Sequence, residues 1–244
     1  MTSTRSTALL VMVILATLAP SPVAAQDRGE FQQWAAVLGT AHTQPAPPGL
    51  SFWLDLHARR GDAGTVLLLR PGIGVEVFPW LSLWAGYGWI PVFDDASGGV
   101  RHEHRIWQQV TLTHRSPEVG ITLQSRTRFE QRFSEAGSDV GLRIRQFVRA
   151  NWRPSRDVPI GIAFWDELFL GLTETDWGTP TGIDQNRVFL GPFLQMESWA
   201  RLEAGYLFVY LDRGTTDTYA HVLAVNLFIS GRPAAAPVEP DESD

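Results

Sequence analysis

Arginines recur on every second residue through the middle of this chain, and they carry most of its candidate chemistry. GITLQSRTRFEQRF (residues 120–133) sets Gln124, Arg126, Arg128, Glu130 and Arg132 at period two, and GLRIRQFVRAN (residues 141–151) continues with Arg143, Arg145, Arg149 and Asn151. In an extended strand alternate side chains share a face, so these groups project together while Ile121, Leu123, Phe129 and Phe133 look the other way. Glu103, Arg105 and Gln109, then Glu167, Arg187, Arg201 and Glu203, extend the charged face into other segments. Two kinds of chemistry follow. Residues 101–153 hold ten arginines against five acids, and a confined lining of one sign would focus field on an anion, as a pore or a pocket. The interleaved carboxylates and amides would instead close an Arg–Glu–Gln lattice that satisfies buried charges and fills a narrow interior. The interleaving favours the lattice.

Other constellations are weaker. Trp165-Asp166-Glu167 places adjacent carboxylates mid-strand, so one must face away from the charged side unless a bulge re-aims it. Glu167 reads as a salt-bridge partner for Arg145 or Arg187 rather than as a general acid. His102 and His104 share a face at a spacing that can chelate zinc on a strand, but no third ligand is spaced to join them, and no metal site is expected. His221 opens the last strand as a rim or packing residue. His114-Arg115-Ser116 provides a His-x-Ser pair beside a turn, and a catalytic triad needs geometry that a tripeptide does not specify. No catalytic residue and no cofactor is assigned. Phosphate-binding glycine loops are missing, and alternating arginines in β segments of an acidic chain argue against nucleic acid as a partner.

The elements that must position these groups are strands. Alternation and bounding turns mark eleven segments, at 31–40, 50–60, 66–77, 81–92, 101–114, 118–133, 140–153, 159–172, 183–195, 199–211 and 218–229, of the length expected of tilted membrane strands. Short connections near 78–80, 115–117, 154–158 and 196–198 alternate with longer polar ones at 94–100, 134–139, 174–182 and 212–217. That is the rhythm of short periplasmic turns and longer outer loops. Single-chain bacterial barrels usually have an even count, which predicts ten or twelve strands rather than eleven. The only candidate for a membrane-spanning helix after the signal, the uncharged VFPWLSLWAGYGWIPVF (residues 77–93), contains Pro79, Pro91, Gly86 and Gly88 and reads as a turn and a strand rather than a helix. A chain that crosses a membrane without a helix must close as a barrel. Trp80, Trp84, Trp89, Trp152, Trp199, Tyr206 and Tyr210 are candidates for its aromatic girdles.

The totals set the surroundings. Arg5, the apolar run 8–19 and Val23-Ala24-Ala25 form a secretory signal over residues 1–25, which predicts export. Its removal would leave 19 basic residues against 26 acidic ones, a net charge of −7. All the basic residues are arginine; genomic base composition accounts for this as well as the guanidinium's forked pairing with carboxylates does. No cysteine is present, which excludes disulfides and thiolate metal sites. The barrel is expected over residues 26–230, and GRPAAAPVEPDESD (residues 231–244) reads as a disordered acidic tail.

The early tryptophan of FQQWAAVL is followed in order by EHRIWQQV, SRTRFEQRF, GLRIRQFVRANW, FWDELFLGL, IDQNRVFLG, RLEAGYLFVY and HVLAVNLF. Across residues 31–229 this succession resembles the bacterial family of domain of unknown function 2490 (DUF2490). The resemblance implies an outer-membrane β-barrel and carries over no activity. The reading is an all-β, antiparallel transmembrane barrel of about 10–12 strands, monomeric, in contact with outer-membrane lipid and open to a small anionic ligand. Its lumen would be lined by Glu103, Arg105, Arg126, Arg128, Glu130, Arg132, Arg143, Arg145, Arg149, Glu167, Arg187 and Glu203. The expected role is structural, a narrow pore, or ligand binding. The alternatives are an outer-membrane enzyme acting on lipid or lipopolysaccharide and a soluble periplasmic lipid-binding barrel.

Overall fold

The computed structural model describes residues 29–155, 157–212 and 217–233. The expected signal segment and most of the acidic tail lie outside the described residues. Eleven strands run in chain order: β1 (Gly29–His42), β2 (Gly49–Gly61), β3 (Gly64–Phe78), β4 (Leu81–Asp94), β5 (Val100–Ser116), β6 (Ile121–Ser134), β7 (Val140–Trp152), β8 (Ile160–Gly171), β9 (Gly182–Glu197), β10 (Ala200–Leu211) and β11 (Thr218–Gly231). Each pairs with its sequence neighbours, and β1 also pairs with β11, so the sheet is a closed barrel. The expectation of ten or twelve strands is therefore corrected to eleven. An even count is required only if every neighbouring pair is antiparallel. Here β1 and β11 run parallel, in register from Gly29 opposite Tyr219 to Ala41 opposite Gly231.

Parallel pairing is slightly the weaker ladder, and this seam is packed on both sides. Inside it, Trp34 lies among the buried Ala220, Val222 and Ala224. Outside, Ala35 and Leu227 are buried with Val37, Val225 and Ile229 against them.

Strand starts differ from expectation at one instructive place. Residues 118–120 form a turn, so β6 begins at Ile121 rather than at Glu118. Gly120 takes φ +68° there, and a Cβ on it would lie 1.8 Å from the Arg153 carbonyl oxygen, a position open only to glycine.

Period-two alternation sorts every strand into two faces. Leu54, Leu69, Ile73, Leu83, Ile106, Val110, Leu123, Val148, Ile162, Phe164, Leu190 and Leu223 are exposed on the outer wall. Buried charged residues face the lumen, among them Asp55, Arg70, Arg128, Glu130, Glu167 and Glu203. Trp80, Trp89, Trp152, Trp199 and Tyr206 are exposed outside, whereas Trp84 is buried and points inward, edge-on to Trp53 and bonded to Ser82 Oγ (2.8 Å). Its assignment to a girdle is corrected: Trp84 falls on the inward parity of β4 with Gly86 and Gly88.

The connections at 43–48, 79–80, 117–120, 153–159 and 198–199 gather at one end, here the turn end, together with the end of β11. Those at 62–63, 95–99, 135–139, 172–181 and after Leu211 gather at the loop end with the start of β1. The segregation of short and long connections is incomplete, since 43–48 is six residues at the turn end and 62–63 is two at the loop end.

Candidate functional site

The lumen gathers the charged groups. Register sets Arg105 opposite Arg132, Gln109 opposite Arg128 and Thr111 opposite Arg126 across β5 and β6. It sets Arg128 opposite Arg145 and Glu130 opposite Arg143 across β6 and β7. Like charges directly opposite one another repel, and the carboxylates relieve this. Glu103 accepts from Arg105 Nε (2.7 Å) and from Arg132 Nε and Nη2 (2.6 and 3.0 Å). Glu130, fully buried, accepts from Arg143 Nη2 (2.6 Å) and Arg145 Nη1 (2.7 Å), with Arg105 at 3.8 Å. Glu167 accepts from Arg145 Nη2 (2.7 Å) and Arg126 Nη2 (2.5 Å), with Arg187 at 3.7 Å.

Farther round, Glu203 pairs with Arg149 and lies 3.9 Å from Arg201, while Trp165 Nε1 donates to it at 3.4 Å. Charge-assisted bonds of this kind are the strong ones, and they satisfy groups that would be costly to bury alone. Of the twelve residues expected at the lumen, Arg128, Glu130 and Glu203 are fully buried and the other nine border its internal spaces. Arg128 differs from the other arginines of the set in having no carboxylate within 4 Å among the described residues. It is fully buried, forks onto Gln109 Oε1 (2.8 and 2.6 Å) and lies 4.1 Å above the Trp107 ring. Trp107 in turn lies across Gly72 and Gly86, where added Cβ atoms would come 2.5 and 2.2 Å from its ring.

Strand regularity places one pair of acids and a bulge re-aims another. β8 is regular at Trp165-Asp166-Glu167, so Glu167 faces the lumen and Asp166 the outer wall, where Asn186 Nδ2 donates to it at 3.0 Å. The irregularity falls beyond, where Leu170 pairs with Ile183 and Phe169 with Gln185. The extra residue, Asp184, is thereby turned inward to accept from Arg143 Nη1 at 3.0 Å.

Sequence reasoning missed the opposite wall. On β2 and β3, Arg70 Nη2 donates to Asp55 Oδ2 (2.8 Å), and His57 Nε2 lies 2.6 Å from Asp55 Oδ1. A signal was present in SFWLDLHAR, where Trp53, Asp55, His57 and Arg59 alternate with Phe52, Leu54, Leu56 and Ala58. Between the two walls the lumen holds chambers, among them one of about 270 Å³ at the loop end, one of about 100 Å³ at mid-height and, at the turn end, one of about 250 Å³ and one of about 560 Å³ lined by Asn151, Phe193 and Arg201.

The histidines singled out for chemistry stand on the outer wall. His102 stacks on Trp89 and His104 on Tyr87, so the pair diverges to separate aromatic partners. His221 bonds Tyr206 Oη (2.6 Å). His114 borders an outer apolar groove with Leu112, Leu123 and Phe164, and among the described residues no hydrogen bond joins it to Ser116 or Ser125. Asp55, Glu103, Glu130, Glu167, Asp184 and Glu203 are each engaged by guanidinium. The arrangement holds charge in place, and at the turn end His42 Nδ1 meets the buried Ser51 Oγ at 2.8 Å with Glu76 at 3.7 Å from the same nitrogen.

The sequence profile of the DUF2490 family, proteins of unknown function, matches residues 31–220. The chain belongs to this family. An uncharacterised protein of Methylorubrum extorquens is 35% identical over 190 residues, covering 74% of this chain and 80% of the relative. No solved structure matches the chain. For this DUF2490 protein the profile spans the charged strands from β1 into β11, so the lattice lies within the part shared with the family.

Proposed function

We propose that this DUF2490 protein is a monomeric barrel of the outer membrane, closed at mid-height by its arginine–carboxylate lattice, and that it works by binding rather than by conducting. The observation that carries the reading is that Arg128, Glu130 and Glu203 face the lumen with no exposure to water at all. An eight-stranded barrel is about filled by its side chains. Eleven strands leave the chambers described, and the lattice separates them.

The membrane location is supported by the polarity of the wall, apolar outside and charged inside, the reverse of a water-soluble barrel that carries lipid. The polar side chains on the outer wall bond one another: Gln108 with Gln131, Thr127 with Gln146, Gln146 with Ser125 and Asn186 with Asp166. Mutual pairing of this kind lowers the cost of placing them against hydrocarbon.

The test is reconstitution. Detergent-extracted protein is expected to show heat-modifiable migration and then to give no steady conductance in planar bilayers. Stepwise anion-selective conductance from the folded parent would replace this reading with a pore lined by the arginine ladder.

A further inference from the structure

Arg59 stands apart from the lattice. It makes no hydrogen bond or ion pair with any described residue, and its Nε is shielded from solvent without an acceptor. Its guanidinium lies 4.0 Å from the centre of the Trp34 ring, and that of Arg187 lies 4.9 Å from the same centre. Arg187 is itself 93% buried, being 7% exposed; its Nη2 donates to Gln185 Oε1 (3.0 Å), its Nε lacks an acceptor, and its nearest carboxylate oxygen, Glu167 Oε2, is 3.7 Å away, the other oxygen of that carboxylate being bonded by Arg126 and Arg145. Arg70 Nε, on the strand beside Arg59, is a third buried donor without a partner. A buried guanidinium is normally paired, and two cations gathered on one indole repel unless a negative charge joins them. The aromatic ring offsets part of that cost and cannot accept the in-plane N–H groups.

All three arginines line the loop-end chamber of about 270 Å³. Its lining holds eight arginines and two carboxylates, a net of +6. Glu103 is taken by Arg105 and Arg132, and Asp184 by Arg143. Among the described residues the lattice therefore supplies no carboxylate to Arg59 or to the exposed Arg101 at the rim, and to Arg187 only Glu167 at 3.7 Å.

We propose that the loop-end chamber is a binding site for a small, soluble oxyanion of two or more charges, held by Arg59 and Arg187 with Arg101 at the entrance. Guanidinium forks match phosphoryl and carboxylate oxygens alike. The chamber volume, just below the usual range for small-molecule pockets, limits the ligand to roughly the size of pyrophosphate or citrate. The chamber opens at the barrel mouth beside Trp177 and not through the wall, which selects a soluble source over a lipid headgroup. The proposal rests on the binding reading above and names its site and ligand class.

The experiment titrates the refolded full chain, in detergent at constant ionic strength, with pyrophosphate and separately with citrate, against sodium chloride as control. Binding is read by calorimetry and by tryptophan emission, since Trp34 adjoins both guanidiniums. One saturable site is expected for at least one of the two anions, at least tenfold weaker in Arg59→Gln and in Arg101→Gln, and unchanged in Arg115→Gln at the turn end. A folded parent that responds to both anions as it does to chloride overturns the proposal, whatever becomes of the variants. So does full affinity retained in Arg59→Gln or Arg101→Gln; the latter residue is exposed and makes no hydrogen bond or ion pair with any described residue, so its loss does not threaten folding. Bilayer conductance separates the two readings: a conducting barrel that still binds pyrophosphate keeps this site and removes the closed lumen. A silent barrel without saturable binding does the reverse.

Discussion

Removing the carboxylate of Glu130 would leave Arg143, Arg145 and, at 3.8 Å, Arg105 turned toward a position with no negative charge, at a place fully shielded from water. Arg143 keeps Asp184 and Arg145 keeps Glu167, so the lattice is thinned rather than dissolved. Breaking a buried pair from one side still costs about 3 to 5 kcal/mol, because the remaining charges stay buried. Glu130→Ala is expected to destabilise the barrel by that amount in urea-driven unfolding from lipid vesicles. The comparison is Asp95→Ala, which removes an exposed pair with Arg60 and should cost no more than about 1 kcal/mol. Equal losses in the two variants would mean that the lattice contributes no more than a surface ion pair and that the lumen is wetter than its burial suggests.

Between strands, the loop end is latched by a reciprocal clasp. Asp176, in the connection from β8 to β9, accepts from the backbone N–H groups of Ser138 (2.8 Å) and Asp139 (3.2 Å) and from Ser138 Oγ (3.1 Å), while Asp139 Oδ2 accepts from Asp176 N (2.8 Å). Trp177 Nε1 donates to the Asp139 carbonyl (2.8 Å), and Arg132 lies 5.0 Å from its ring. The backbone N–H of Ser138, with that of Asp139 next, holds the Asp176 carboxyl below the ordinary carboxylate range. A lowered value in the folded protein means that the clasp's contribution is whole above about pH 4, the ordinary aspartate value, and is lost as pH falls through the lowered one. Hydrogen exchange at the Ser138 amide is expected to stay slow from pH 7 to about 4, once corrected for intrinsic rates, and to rise only below that. In Asp176→Ala it should be fast throughout. Release near pH 6 would assign the latch to another group. This clasp was not legible in the sequence, because it depends on two loops about 40 residues apart meeting over the mouth. The ladder from Arg126 to Arg132 was legible, since strand geometry alone sorts it. The Asp55–His57–Arg70 wall was written in the same period, but its single acid and histidine among leucines make a fainter pattern than three arginines and a glutamate do. Trp84 was misplaced because a tryptophan in an uncharged stretch suits a girdle and a core equally, and only the inward parity shared with Gly86 and Gly88 decides.

At the scale of the whole molecule, the odd strand number turns on one contact, the parallel seam of β1 and β11. Sequence rhythm could locate eleven segments but not say which pair closes the ring, because closure joins residues about 190 apart whose pairing leaves no local pattern. The seam offers a direct test, since the chain has no cysteine of its own. Thr40 and Ser230 are register partners, and their hydroxyls meet at 3.2 Å on the lumen side near the turn end. Neighbours across a sheet fall within the Cα separation a disulfide tolerates. In the double variant Thr40→Cys with Ser230→Cys, mild oxidation of the folded barrel should link first and last strands and give a species that, once heat-denatured, migrates faster until reduced. Thr40→Cys with Ala220→Cys serves as control, because an antiparallel seam would bring the two ends of β11 to exchanged heights, whereas the parallel one leaves Ala220 beside Glu30, ten residues from Thr40. Linking of the first pair alone fixes both the eleven-strand closure and its parallel sense. Linking of the control would reverse β11, and failure of both would mean that β1 does not complete the wall, leaving a ten-stranded barrel with an N-terminal segment beside it.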